Sequence, residues 1–319
     1  MAERRGFSPS AGEPQAGAPL FTSGRECWVF RAHTPDELCG YHPRLIGSAL
    51  APGERLHYLL YSPVFDAKDG PFRVGGAPGS HAVGITANAF LVSRDPHAEE
   101  PRQSITRIAL DAVSSVEIGC ALALGWFVVR FAGPRGPASC PVLFGGQGME
   151  HFRAVVRAYR RLGRDERALS EARLDWPKVW HNVPTYIRTE LEPLVEETER
   201  PLAMLRTPER WTAEKRWWGR RPVCASASGL LVATSRGLLW AASEPRPRPE
   251  GLSFGVNVTV VRPDRVRGAA IASRESMGVL RLRAGGKEAS YDLEVPFDGE
   301  DVALAQEIVH LASAWGAPA

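Results

Sequence analysis

The stretch PRLIGSALAPGER at residues 43–55 decides the predicted fold, because the stretch PTYIRTELEPLVEETER at residues 184–200 repeats its pattern. The shared positions keep their order while the loops between them change in length. Pro43, Ile46, Leu50, Pro52, Arg55 and Pro63 recur 141 to 145 residues later as Pro184, Ile187, Leu191, Pro193, Arg200 and Pro208, and the offset grows to about 153 further along the chain. A unit of that length buries a core of its own, so the repeat predicts two copies of one domain.

Length and composition agree with this interpretation. The chain has 319 residues, of which 44% are hydrophobic and 24% charged, as in ordinary globular proteins of about two domains. The longest apolar run, residues 120–132, contains Arg130 and is shorter than the ~20 residues that cross a bilayer. Residues 1–24 are rich in Gly, Pro, Ala and Ser, which predicts a disordered tail and no secretion signal. We therefore expect a cytoplasmic protein.

The excess of positive charge is not by itself informative. Only four of the 39 basic residues are lysines, a bias typical of a GC-rich genome. The pI of 8.7 is therefore weak evidence for an anionic partner, and only a local cluster of cations indicates one.

The first unit, residues 43–163, reads as short strands followed by one helix. Apolar runs bounded by turn residues predict strands at 56–61, 81–93 (a hairpin that turns at Thr86-Ala87-Asn88), 105–118, 126–131 and 142–144. The spacing then changes to that of an amphipathic helix, with an apolar stripe of Phe152, Val155, Val156 and Tyr159.

The second unit repeats this order of elements. Leu230–Ala233 and Leu238–Ala241 repeat the hairpin, and Thr234 stands where Thr86 stood. Asp264 and Val266 match Asp111 and Val113. A final helix follows Asp298, its predicted N-cap, and carries Leu304, Ile308, Leu311 and Trp315 on one face.

Several short segments carry a resemblance to a known family. They are PGERL at 52–56, ITANAFL at 85–91, LDAVSSV at 110–116, the closing helix, and ATSRGLL at 233–239 in the second copy. In these the sequence resembles the bacterial pleckstrin-homology-like (PH-like) domains, which are related to GRAM domains. The second copy departs at its start, where Glu196–Arg200 replaces the compact Gly53-Glu54-Arg55.

The resemblance implies a mainly β fold with some α: two PH-like β-barrels, each closed by a C-terminal amphipathic helix, with a partly helical connector. The implied division is a disordered tail at 1–24, a first PH-like domain with an N-terminal extension at 25–163, a connector at 164–199 and a second PH-like domain at 200–319. The connector carries Trp176 and Trp180. We expect these two rings to dock it onto one barrel, because a flexible linker is rich in Gly and Ser.

The strongest candidate site is the basic and aromatic segment 209–221. It contains five basic residues and two acidic ones, Glu209 and Glu214, so its net charge is +3, which equals the net charge of the whole chain. The candidate partner- or lipid-binding residues are Arg210, Trp211, Lys215, Arg216, Trp217, Trp218, Arg220 and Arg221. By position the segment joins the first two strands of the second unit. In the PH domains that this fold resembles, that loop holds phosphoinositide headgroups.

Three interpretations of the segment remain open. Arg and Trp are enriched where proteins bind one another. Guanidinium groups also match phosphate oxygens, and Trp favours the membrane interface, so anionic lipid headgroups are a second possibility. The rings of the three tryptophans could instead simply cover the barrel. We take protein binding as the leading hypothesis, peripheral binding to an anionic membrane as the alternative, and expect no nucleic-acid partner.

The cysteines and histidines give a weaker indication. Five cysteines spread between Cys27 and Cys224 do not form a disulfide framework, as in a reducing compartment. Cys27, His33, Cys39 and His42 lie within sixteen residues, yet a zinc site uses two close pairs of ligands. Packing against the first barrel is the alternative, and we expect neither a metal nor a cofactor.

Catalytic motifs are not found in the sequence. Gly-Gly-Gln-Gly at 145–148 lacks the third glycine and the strand–helix–strand context of a dinucleotide site. The chain contains no Gly-x-Ser-x-Gly elbow, His-Glu-x-x-His pair or kinase signature. We therefore predict a non-enzymatic binding or scaffold protein whose oligomeric state the sequence leaves open.

Overall fold

The computed structural model describes residues 27–64, 79–96, 104–121, 123–162, 174–216, 219–243, 255–274, 277–285 and 290–316. The side chains of residues 96, 211–216, 219–225 and 274 are not among those described. The predicted disordered tail at 1–24, part of the predicted connector, and Trp217 and Trp218 lie outside the described residues.

The first half of the chain forms strands between two helices, with a short strand in front. In chain order the elements are β1 (Phe30–Ala32), α1 (His42–Ala49), β2 (Leu56–Ser62), β3 (Gly79–Thr86), β4 (Ala89–Pro96), β5 (Ser104–Ala109), β6 (Val113–Ala121), β7 (Leu124–Gly133), β8 (Gly136–Gly145) and α2 (Met149–Arg161). The segment 105–118, which the sequence suggested as one apolar element, is two strands separated by a turn at Leu110–Ala112.

Among the described residues, the second half has the same order, together with one further helix and one further hairpin. Its elements are α3 (Trp176–Trp180), α4 (Thr185–Leu191), β9 (Pro201–Thr207), β10 (Arg210–Arg216), β11 (Gly219–Ser226), β12 (Gly229–Thr234), β13 (Gly237–Ser243), β14 (Gly255–Val261), β15 (Val266–Arg274), β16 (Met277–Gly285), β17 (Ser290–Phe297) and α5 (Val302–Gly316).

Each half therefore contains the same succession of elements. A helix (α1 or α4) precedes four antiparallel strands (β2–β5, or β9 with β12–β14), then a three-stranded meander (β6–β8 or β15–β17), then a closing helix (α2 or α5). Irregularities recur as well, since a bulge follows Val113 in β6 and Val266 in β15. The mainly β character with some α is thus confirmed.

One antiparallel sheet runs through both halves of the chain. It has seven strands in the order β8-β7-β6-β14-β13-β12-β9, and β6 pairs with β14 so that Ile118 faces Val258. The other sheets are β1-β2-β3-β4-β5, β15-β16-β17 and the hairpin β10-β11. Among the described residues none of these sheets closes on itself, so the two predicted barrels are not confirmed.

The shared sheet follows from the composition of its central strands. Val256, Val258 and Val260 of β14 are at most 4% exposed and join the same core as Phe127, Phe144 and Phe152 from the first half. Burying each valine contributes about 1.5–3 kcal/mol relative to leaving it in water. Separating β14 from β6 would uncover these side chains, which explains why the two halves share a sheet.

The segment between the halves lies against the core. Trp176 and Trp180 stack with their ring centroids 5.1 Å apart and pack against the core that the two halves share. Ile187 and Leu191 of α4 are fully buried there, at positions that match Ile46 and Leu50 of the repeat. In consequence α4 covers the outer face of β13 and β14, as α1 covers that of β4 and β5.

A glutamate before the first strand of each half accepts a hydrogen bond from the amide three residues earlier and pairs with an arginine. Glu54 accepts hydrogen bonds from the amide of Ala51 (2.9 Å), from Thr86 Oγ1 (2.6 Å) and from both Nη atoms of Arg107 (2.8 and 2.9 Å). In the second half Glu199 accepts from the amide of Glu196 (3.1 Å). The start of the second copy differs in sequence from that of the first, yet it keeps a glutamate at this position.

The second glutamate takes its arginine from the other half of the molecule. Arg160, on helix α2, donates to the Glu199 carboxylate and to the carbonyl of Leu194. Its Nη2 also lies 3.5 Å from Oγ1 of Thr234, the residue that matches Thr86. The side chains of Arg160 and Glu199 are 1% and 0% exposed. This buried ion pair fixes the closing helix of the first half to the first strand of the second.

We predict that Arg160→Met strongly destabilises the protein, because it leaves the Glu199 carboxylate buried without its cation. The expected loss in the free energy of unfolding is about 3–5 kcal/mol, measured by urea denaturation. The double variant Arg160→Met/Glu199→Leu, which removes both charges, should recover most of that loss. A double variant as unstable as the single one would contradict this account.

We also predict an acid-sensitive contribution from Glu54. The hydrogen bonds from Arg107 and then Thr86 lower the pKa of Glu54 from 4.5 to about 2. Because the folded-state pKa lies below the unfolded one, this stabilisation is complete above pH ~4.5 and is lost as the pH falls toward 2. Urea denaturation between pH 5 and 2 should show a shallower decline for Glu54→Gln. Exposed Glu300→Gln is the control, and an equal change in both variants would exclude the effect.

Candidate functional site

The basic and aromatic segment forms the hairpin β10–β11. It connects β9 to β12, the first two strands of the second half, which is where the sequence placed it. Within the described part of the chain, these two strands pair only with each other. The sequence suggested a loop, whereas the backbone forms an antiparallel ribbon from Arg210, opposite Ser226, to Arg216, opposite Gly219, with a bulge after Arg210.

The strand register brings the cations of the two strands together. Lys215 lies opposite Arg220, and Glu214 lies opposite Arg221. Like charges at directly opposed positions of a strand pair are destabilising, so the Lys215–Arg220 pair favours an anion beside it. The side chains of Trp211, Lys215, Arg216, Arg220 and Arg221 are outside those described, as are Trp217 and Trp218 altogether.

The base of the hairpin is attached to the start of the last helix. Arg210 forms an ion pair with Asp298, and Ser226 Oγ donates to the carbonyl of Pro208. The sequence predicted Asp298 as an N-cap, but its side chain makes no capping hydrogen bond to the short helical turn that follows. Its carboxylate binds Arg210 instead. These two contacts fix the position of the base of the hairpin on the second half.

A cleft of about 390 Å³ opens beside this base. Its walls come from the connector (Asn182–Pro184), the end of β9 (Arg206–Pro208), the start of β12 (Ser228–Leu230) and the acidic turn before α5 (Asp298, Glu300 and Asp301). Sequence reasoning missed this cleft, because its walls are distant in sequence. The volume lies within the range of cavities that hold small molecules or side chains.

Charges of both signs line the cleft. Arg206 donates through Nη2 to the carbonyl of His181, while its Nε is buried and has no partner among the described residues. Asp298 is neutralised by Arg210. Glu300 and Asp301, on the same turn, form no ion pair with any side chain that the structure describes. The cleft therefore adds an acidic rim beside the basic hairpin.

The four potential metal ligands near the N-terminus do not form a site. His42 is fully buried, and its ring nitrogens lie 2.7 Å from Ser93 Oγ and 2.9 Å from Ser80 Oγ. Burial, with a smaller effect of His81, lowers the pKa of His42 to about 3. Cys27 is exposed to solvent. In the described ranges no three His, Cys, Asp or Glu side chains are placed to hold a metal ion.

The glycines between β8 and α2 serve packing. Gly146–Gly148 form one short helical turn between the two elements. A Cβ atom on Gly148 would lie 2.7 Å from the Val29 side chain and 3.2 Å from that of Phe144. Glycine at this position allows close approach of apolar side chains, so the turn gives no support to a phosphate site.

Comparison with known proteins gave no match: no family model, no curated protein and no solved structure is similar to this chain. Among the helices that the structure describes, none has the length and apolar character needed to span a membrane.

We predict that Arg210→Ala loosens the hairpin without unfolding the protein. Arg210 and Asp298 are 38% and 30% exposed, and such surface pairs contribute about 0–1 kcal/mol to stability. Hydrogen exchange followed by mass spectrometry should show faster exchange of the amides at 210–226. Arg281→Ala, which removes a surface pair with Glu294, is the matched control. Unchanged exchange at 210–226 would show that the ion pair does not hold the hairpin.

Proposed function

We propose that this protein is a non-enzymatic binding or scaffold protein of the bacterial cytoplasm that holds a protein partner on its hairpin β10–β11. In this proposal the two halves are tandem PH-like domains. The repeated order of four strands, three strands and a closing helix supports that assignment. Among the described residues, the hairpin is an element of the second half without a counterpart in the first.

The observation that carries the proposal is the isolation of the hairpin. A ribbon of two strands is at best marginally stable in water by itself. Here the strands β10 and β11 pair with no other strand in the described part of the chain, and an ion pair and a hydrogen bond attach their base. A strand pair that joins none of the larger sheets is explained by a role in contact with another molecule.

The composition of the hairpin indicates the kind of partner. Lys215 opposite Arg220, with Arg216 and Arg221 beside them, concentrates positive charge at its distal end. An acidic protein surface would relieve the repulsion between these cations. The tryptophans at 211, 217 and 218 are of the residue type that most often anchors such contacts. The partner we propose is therefore a protein with an acidic surface and an apolar pocket.

The shared sheet supports a scaffold role. Because β6 and β14 belong to one sheet and α4 packs against the common core, the two halves keep a fixed relation. A partner on the hairpin would then be held at a constant position relative to the first half.

The same cations favour a second function, peripheral binding to an anionic membrane. Trp217 and Trp218 stand between Lys215-Arg216 and Arg220-Arg221 in the sequence. Aromatic residues flanked by cations suit the interface of a bilayer with anionic headgroups. The two functions require the same residues and differ in the partner, so one pair of variants separates them.

We predict that the double variant Arg220→Ala/Arg221→Ala binds the partner protein more weakly. The full chain is used to capture partners from its native host, and the protein identified by mass spectrometry is then purified and titrated. Binding to the double variant should be about tenfold weaker or more, because loss of two central cations exceeds 1.4 kcal/mol. The matched control Arg281→Ala/Arg283→Ala removes two exposed arginines of β16 and should bind like the unaltered protein.

Two results would overturn the protein-binding proposal. One is equal affinity of the partner for both double variants. The other is the capture of no partner together with sedimentation on vesicles of phosphatidylcholine and phosphatidylserine. Vesicle binding that weakens with salt and with Arg220→Ala/Arg221→Ala, but not on phosphatidylcholine alone, would establish the membrane function instead.

A further inference from the structure

The register of the hairpin β10–β11 decides which backbone groups its two strands leave free. Arg216 lies opposite Gly219 across a connection of two residues, and in a hairpin of this kind the two flanking residues exchange both backbone hydrogen bonds. Hydrogen-bonded and non-hydrogen-bonded pairs then alternate along an antiparallel ribbon. Lys215 and Arg220 therefore form a non-hydrogen-bonded pair. The N–H and C=O groups of residues in such pairs point outward, away from the other strand of the hairpin.

The outer edge of β11 is closed to a further strand. The next non-hydrogen-bonded pair is Ala213 with Pro222, so position 222 also faces outward, and proline has no N–H group to offer there. Strand β11 carries a bulge as well, because Arg210 lies opposite Ser226 whereas the next residue of β10 lies opposite position 224. Proline and bulges are two of the devices that prevent the pairing of an edge strand with another chain.

The outer edge of β10 has neither of these devices. Strand β10 contains no proline, and its outward-facing positions Ala213 and Lys215 each offer an N–H and a C=O group. Among the described elements, none other than its own hairpin partner runs along β10. Other edges differ, since helix α5 lies against β15 and the edge strand β8 carries Pro137 and Pro141. Strand β10 is therefore a template on which one more strand can form.

The charges of the hairpin select what kind of strand can be added. Opposed residues come closer together in non-hydrogen-bonded pairs than in hydrogen-bonded ones, so the pairing of Lys215 with Arg220 is of the more repulsive kind. Lysine on an edge strand also discourages the addition of strands that carry no negative charge. A strand with acidic residues opposite Lys215 and Arg216 relieves this repulsion. A second copy of this chain would bring its own cations to the same edge, so the charges favour a different protein.

We propose that the partner protein supplies an extended acidic segment that adds to β10 as a third strand, an inference that rests on the proposed function of the hairpin. The backbone of this segment bonds the N–H and C=O groups of Ala213 and Lys215, and its acidic residues lie opposite Lys215 and Arg216. Main-chain hydrogen bonds then provide affinity, and the charges provide selectivity. The hairpin gains the third strand that an isolated ribbon of two strands lacks.

The first test follows the backbone groups themselves. The full chain is titrated with a synthetic peptide of alternating glutamate and valine, and the exchange of single amides is followed by NMR. The peptide should slow the exchange of the amides of Ala213 and Lys215, but not that of Arg220 on the opposite edge. A peptide of alternating lysine and valine should slow none of them. An acidic peptide that does not bind, or that binds and leaves the amides of Ala213 and Lys215 unprotected, would overturn the proposal.

The second test removes one outward-facing donor and keeps every charge of the hairpin. Ala213→Pro should bind the acidic peptide at least about tenfold more weakly, because one N–H group is lost and the proline ring obstructs the incoming strand. The matched control Cys224→Pro makes the same kind of change at an outward-facing position of β11 and should bind like the unaltered chain. Slow exchange of the Glu214 amide, which bonds within the hairpin, checks that the ribbon is intact in both variants. Equal affinities of the two proline variants would contradict strand addition.

The partner protein captured from the native host separates this inference from the proposed function. If the partner binds Arg220→Ala/Arg221→Ala as tightly as the unaltered chain, the proposed function fails, and strand addition fails with it. If that double variant binds the partner weakly while Ala213→Pro binds it normally, the hairpin holds its partner through charge, and only strand addition is overturned. Weak binding of both variants, with normal binding of Cys224→Pro, is the result that we expect.

Discussion

The structure depends on the buried ion pair between Arg160 and Glu199. Both side chains are almost wholly removed from water, so each charge needs the other to offset the cost of burial. Arg160 belongs to the helix that closes the first half, and Glu199 precedes the first strand of the second. The same guanidinium binds the carbonyl of Leu194 in the connector and lies 3.5 Å from Thr234 Oγ1 in the turn between β12 and β13. One side chain thereby sets the position of three segments. The equivalent pair in the first half, Glu54 with Arg107, stays within its own half and lies nearer the surface.

Around this pair the two halves share a sheet and a core. Val256 and Val258 of β14 pack with Phe127 and Phe152 of the first half, and α4 covers them. The second half also has a core of its own, to which Leu280, Phe297 and Ile308 belong. The second half thus has its own core, and it also has an apolar outer face that is buried only when the first half packs against it. In the function proposed above, this arrangement would hold the hairpin at a fixed position relative to the first half.

The sequence alone predicted the local features and missed the long-range ones. The turn at Thr86 and its counterpart at Thr234 were predictable, because each threonine bonds its own turn and separates two apolar runs. The closing helices were predictable from the spacing of Phe152, Val156 and Tyr159. The pairing of β14 with β6 was not predictable from the sequence. A valine-rich strand has the same sequence pattern whether its neighbouring strand belongs to its own half or to the other. The position of the hairpin between two strands is predictable, but its own strands are not, because its cations hide the alternation typical of a strand. Asp298 illustrates the same limit: its position before a helix predicted a cap, whereas a distant arginine binds it.

The central claim is that two copies of one unit form a single cooperative body through the strands β6 and β14. Hydrogen exchange of the unaltered protein in rising, sub-denaturing urea tests it directly, with residues 113–121 and 255–261 followed by mass spectrometry. If the claim holds, both segments lose protection together and at the rate of global unfolding, because neither strand can open without the other. If the second segment exchanges at lower urea than the first, the halves unfold separately and the shared sheet does not unite them.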